Sequence, residues 1–228
     1  MKKPFLKRAN HGILLSGVVL AATVGYVVYD SIIFDTQKDD IENILTTYVD
    51  TLVKASYAPS TVKDGSQKWT QEESKLYSQN LENVINDYWT ITCDDPKNYY
   101  KKNEVLASLA NDTMTGESGM ITSYDYHITD MKLTKNGPEA VLFSFKYSYI
   151  IETDGFAPYF DYYYVSRIYP SDYNYDKKTD VHMKLKYTVP SCNVSGEMLH
   201  ENGEWKISYM YSYVDYNSRP ASEIIEEY

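Results

Sequence analysis

Residues 141–151 read VLFSFKYSYII. Val141, Phe143, Phe145, Tyr147, Tyr149 and Ile151 fall on every second position, with Leu142, Ser144, Lys146 and Ser148 between them. Successive strand side chains point to opposite sides, so this period of two describes a strand with one face turned to a core. The same period runs from Ile121 onward. Asn136-Gly137 supplies a hairpin turn between a strand around 124–133 and this one. A further strand is expected over 159–169. Val181, Met183, Leu185, Tyr187 and Val189 then alternate with His182, Lys184, Lys186 and Thr188. Pro190 lacks the N–H that a ladder needs and marks a bulge or bend. The chain continues from Val194 to Leu199, turns at Asn202-Gly203 and returns as Trp205, Ile207, Tyr209, Tyr211 and Tyr213.

Upstream of residue 121 the period is helical. Ile41, Ile44, Leu45, Tyr48, Leu52 and Val53 recur at steps of three and four, and Pro59 to Gly65 breaks that stripe. A second helix opens at Thr70 with Glu73 three residues on, a capping box, and carries Tyr77, Leu81, Val84, Ile85 and Tyr88 with Trp89 beside them. A short third helix starts at Asp95-Pro96 and carries Tyr99, Val105, Leu106 and Leu109. Helices first and antiparallel strands after them predict an α+β fold, with the helices packed on one face of a curved sheet.

At the start of the chain, residues 12–34 read GILLSGVVLAATVGYVVYDSIIF, 23 residues with Asp30 as the single charge. About 20 apolar residues suffice for a transmembrane helix. Lys2, Lys3, Lys7 and Arg8 precede the run and no acid does, so the N-terminus is expected in the cytoplasm and the main domain outside the cell. A cleaved signal peptide is the rival reading, but the run is long and no A-x-A-like site follows it. The expected division is a cytoplasmic tail over 1–11, a transmembrane helix over 12–34, an extracytoplasmic α+β domain over 35–216 and a flexible tail over 217–228. Its expected address is the cell membrane, crossed once.

The net charge is −10; setting those four basic residues aside leaves 18 of the 22 Lys and Arg against 32 Asp and Glu, a balance of −14. So acidic a domain is a poor nucleic-acid binder, because phosphate contacts need clustered Lys and Arg. Tyrosine is over-used, with 25 copies against 6 Phe and 3 Trp. Tyr favours strands and half-wet faces, and it also serves protein interfaces. Cys93 and Cys192 are the two cysteines and the disulfide candidate; two buried thiols account for them equally well.

The order of elements, together with the closing hairpin GEMLHENGEWKISYMY (196–211), resembles the nuclear transport factor 2-like (cystatin-like, SnoaL-like) superfamily over about Asp35 to Val214. With the basic tail and single span, the architecture is also similar to assembly subunits of type IV secretion and conjugation machines. The superfamily resemblance implies that the curved sheet is cone-like, and enzymes of the superfamily place acids and histidines in the cone between sheet and helices. Asp125 and His127 alternate onto one strand face and are the candidate ligand-binding pair, against the plainer reading of an exposed polar edge strand. Asp172, Asn174 and Asp176 imitate the start of a calcium loop, but Lys177 and Met183 stand where glycine and glutamate are required, so no metal site is expected.

These readings together predict a membrane-anchored interaction or assembly module. It is expected not to be an enzyme, to use no cofactor, and to work with protein partners or as a homo-oligomer. The alternative is a small-ligand-binding or sensory domain using the cone, and after it an isomerase-like enzyme using Asp125 and His127.

Overall fold

The strand alternation sets the layout of the domain. The computed structural model describes residues 11–65, 69–90, 102–112, 119–155, 183–214 and 221–227. The expected strand over 159–169, the calcium-like residues 172–176, the start of the third helix and Cys93 lie outside the described residues. The chain forms two units, Met1–Ile41 and Glu42–Tyr228.

Helix α1, His11–Ala55, supplies the first unit and opens the second. In the first unit Val18, Leu20, Val24, Val27 and Ile32 are all more than half exposed, on every side of the helix. Among the described residues one helix is long and apolar enough to cross a membrane, and this is it. Two of its hydroxyls are satisfied within the helix, Thr23 donating to the Val19 carbonyl (2.9 Å) and Ser31 to that of Val27 (2.8 Å).

In the second unit the end of α1 buries Leu45, Tyr48, Val49, Leu52 and Val53. Helix α2, Gln71–Tyr88, starts at the expected capping box: the Glu73 N–H donates to Thr70 Oγ1 (3.2 Å) and the Thr70 N–H to Glu73 Oε2 (2.8 Å). It buries Tyr77, Leu81, Val84 and Ile85, and Trp89 closes it in extended conformation. Helix α3, Lys102–Asp112, buries Val105. The strands are β1 (Gly119–Lys135), β2 (Ala140–Gly155), β3 (Met183–Glu201), β4 (Glu204–Val214) and β5 (Ala221–Glu227). They form one antiparallel sheet in the order β1-β2-β3-β4, with β5 also on β3. The α+β expectation therefore holds, with helices packed on a curved antiparallel sheet.

Val141, Phe143, Phe145, Tyr147, Tyr149 and Ile151 are all buried, so β2 is the strand its alternation describes. On β3 the buried positions are Leu185, Tyr187 and Val189, then Cys192, Val194 and Met198. The change from odd to even numbers is the work of a bulge. Tyr149 pairs with Val189 but Tyr147 with Cys192, so Pro190 and Ser191 face one partner residue. The extra residue keeps both halves of β3 on the same core. On the other edge of β3, β4 reaches only to Cys192 and β5 only to Thr188, so the missing proline N–H interrupts no ladder there.

Two expectations need correction. Residues 221–227, placed in a flexible tail, form β5, because β3 has free edge length beyond the end of β4 and lysines that meet the tail's glutamates: Lys184–Glu226 at 3.1 Å and Lys186–Glu223 at 3.4 Å. The returning strand β4 also does not keep one phase. Met198 pairs with Ile207 and Glu197 with Tyr209, leaving Ser208 bulged. Trp205 and Ile207 are buried, but beyond the bulge the buried residue is Met210, and Tyr213 is half exposed.

Gly196 stands opposite Phe143 on the inner face. A Cβ there would lie 2.5 Å from the Phe143 ring and 2.3 Å from the Tyr209 carbonyl oxygen. The Gly196→Ala variant is expected to be less stable by about 2–3 kcal/mol, the upper range of overpacking, read as a lower urea midpoint with an unchanged slope.

Candidate functional site

The sheet offers two faces, and the tyrosines are divided between them. On the inner face β1 and β2 bring Tyr124, Tyr126, Tyr147 and Tyr149 together, with ring centroids 5.6–6.3 Å apart. Tyr147 is fully buried, its hydroxyl 2.9 Å from that of Tyr124. The Tyr126 hydroxyl donates to Asp50 Oδ1 of α1 at 3.4 Å, while Lys54 holds Asp50 Oδ2 at 2.6 Å. Deeper under the helices Trp89 Nε1 donates to the Tyr48 hydroxyl (2.9 Å). Aromatic rings with paired hydroxyls thus occupy the inner face, as buried polar groups require.

Burial raises the Tyr126 phenol above its ordinary value, and the Asp50 charge and hydrogen bond add to it. Burial alone pushes Tyr77 up, much further. At neutral pH these groups are hydrogen-bond donors, neither bases nor nucleophiles.

The end of α2 is tied to β4. The Trp89 backbone lies beside Ile207, and the Thr90 N–H donates to the Ile207 carbonyl (2.9 Å). Lys206 donates to the Asp87 carbonyl (2.7 Å), and Lys102 to that of Trp89 (3.2 Å). Two cations at a helix C-terminus suit its dipole. Desolvation, then the neighbouring Lys206 charge, lowers the Lys102 pKa.

The outer face is built by register. Tyr209 pairs with Glu197, Tyr211 with Ser195 and Tyr213 with Asn193; these β3 residues pair in turn with Leu142, Ser144 and Lys146 of β2. The bulged Ser208 sets this face: its hydroxyl donates to Glu197 Oε2 (3.0 Å), and Asn136 Nδ2 donates to Glu197 Oε1 (2.8 Å). Farther along, Lys146 meets Asp130 at 2.7 Å and holds that carboxyl below its usual range.

Asp125 and His127 are exposed on β1, opposite Ile150 and Ser148 of β2. They point away from the inner-face neighbours Tyr124 and Tyr126, so the strand brings them to the outer face and not into the cone. Cys192 is buried on β3, its thiol 3.4 Å from the Tyr213 carbonyl; its candidate partner Cys93 is outside the described residues. Sequence reasoning missed Asp50 and the Asn136–Glu197–Ser208 network, which join residues far apart in the chain. The one local signal was Met210, the apolar residue out of phase among alternating tyrosines.

No protein-family model matches the chain, and no curated protein does. Solved structures do. One is described as a putative dehydratase of the NTF2-like family from Streptomyces avermitilis, 11% identical at a TM-score of 0.41, covering 80% of this chain and 98% of that one. The hexachlorocyclohexane dehydrochlorinase LinA-type3 from Novosphingobium barchaimii is 8% identical at 0.33, covering 83% and 92%. A further LinA structure is 10% identical at 0.35, covering 61% and 76%. The first of these descriptions names the NTF2-like family, the one that the order of elements together with the closing hairpin resembles. None of these three is a secretion or conjugation subunit. The expectation that the chain is not an enzyme is corrected by these neighbours, whose descriptions name a dehydratase and a dehydrochlorinase.

Phenols held neutral by burial give a pH signature. Their folded values lie above the unfolded value of about 10, so their contribution is complete below that pH and is lost as pH rises through the folded values. Urea midpoints of the parent are expected to fall between about pH 9 and 11, and those of Tyr77→Phe to fall less steeply.

Proposed function

We propose that this chain is a membrane-anchored, extracytoplasmic domain that binds a protein partner through the outer face of its sheet. The observation that carries the reading is the phase change at Ser208, which turns Tyr209, Tyr211 and Tyr213 outward in one row. Beside them stand Asn193, Ser195, Ser144 and Ser148, short polar side chains, and the charged Glu197 and Lys146 among them are engaged by Ser208 and Asn136 and by Asp130. Tyr with Ser and Asn is the composition of protein-binding surfaces, where rigid aromatic area is gained at small entropy cost. Asp125 and His127 extend this face at β1.

The anchor is the apolar, all-round exposed part of α1, and the basic residues before it orient the domain outward. The partner sought first is another envelope protein, of the kind found in conjugation or secretion machines. A second reading, a small ligand at the rim of the inner face, is supported by the Tyr126–Asp50 pair, since the Asp50 side chain is 43% exposed.

A photocrosslinking residue at Tyr211 in intact cells is expected to give an adduct with one defined protein. Replacing Tyr209, Tyr211 and Tyr213 together by Ser is expected to cut the corresponding co-purification at least tenfold, while Asp50→Asn leaves it unchanged. Activity lost in Asp50→Asn and retained in the triple variant would move the function to the inner face. Protease added to intact cells is expected to remove the domain; protection would place it on the other side.

A further inference from the structure

β5 is an edge strand. Like β4 it pairs with β3 alone, Met183 opposite Glu227 through Thr188 opposite Ala221. Ala221 and residues 223–226 are all exposed, and Ile224 and Ile225, the two large apolar side chains of the strand, are 50% and 49% exposed. Its side-chain ties to β3 include the exposed ion pairs Lys184–Glu226 and Lys186–Glu223, a kind of contact that contributes little. β3 itself does not depend on β5: Leu185 and Tyr187 are buried, and the other edge of this stretch is paired with β2 from Thr153 to Ile150. Local opening is least costly where few apolar side chains are buried.

When β5 leaves, it uncovers the backbone edge of residues 183–188 flanked by Lys184 and Lys186, an acceptor for an extended acidic segment. We propose that β5 is an exchangeable strand: it pairs with the same β3 edge on a second copy of this chain, and reciprocal exchange makes a two-fold dimer. A second copy is the occupant the observations favour, because every copy carries the segment whose register and charges match this edge. Reciprocal pairing uses the same contacts twice and closes on itself.

The test uses two differently tagged full-length chains expressed together, one with Lys186→Cys and the other with Glu223→Cys, facing positions in the register. The parent pair, which keeps Cys93 and Cys192, sets the baseline. Oxidation is expected to give a disulfide-linked heterodimer well above that baseline, lost when either engineered cysteine is absent. Adding Glu226→Lys to the Glu223→Cys chain is expected to lower the yield several-fold, and adding Lys184→Glu to its partner to restore it. A heterodimer at baseline, while one chain carrying both cysteines closes internally, would overturn the proposal. So would a heterodimer whose yield ignores both charge reversals.

Discussion

The ring of Phe143 lies over the bare backbone of Gly196, and the pairing of β2 with β3 is organised around that contact. It fixes which side of each strand is inner, because a slip of one residue would turn every side chain over. From there the burial of Val141 to Ile151 on β2 and of Cys192, Val194 and Met198 on β3 follows. The two bulges are corrections to the same constraint. At Pro190-Ser191 the extra residue keeps a 19-residue strand facing one core; at Ser208 it hands the inner position to Met210.

Helix and sheet are joined by hydrogen bonds as well as by apolar packing. Trp89 ends α2 in extended form, takes a place beside Ile207, and gives its indole N–H to Tyr48 of α1. One residue therefore touches both helices and the sheet. Lys206 and Lys102 neutralise the end of α2 where its carbonyls lack helical partners. The tyrosine hydroxyls on the inner face follow the same rule, each buried phenol of the Tyr124–Tyr147 and Tyr126–Asp50 pairs having a polar neighbour.

Much of this was legible in the chain. The alternation of β2, the capping box at Thr70, the Asn202-Gly203 turn with φ of 54° and 88°, and the bulge at Pro190 all rest on local rules. The face of Tyr209, Tyr211 and Tyr213 was legible only through Met210 standing out of phase, since a serine carries no bulge signal and its hydroxyl is held by Glu197 of another strand. β5 was not legible, because ASEIIEE has no strand alternation and acquires its structure from the edge it meets. Asp125 and His127 were rightly placed on one face of β1, but which face depends on β2, across the hairpin.

Ser208 also bears on how relatives of this chain are to be compared. A strand is read in steps of two, and the bulge works as a skipped letter: Ile207 and Tyr209 stand on neighbouring rungs, opposite Met198 and Glu197. A sequence without a residue at 208 would keep Tyr209, Tyr211 and Tyr213 facing as they do here, whereas one that keeps the residue and draws it into the ladder would turn all three over. Similarity over this hairpin therefore transfers a surface only when the pairing agrees, and aligned letters alone do not decide it.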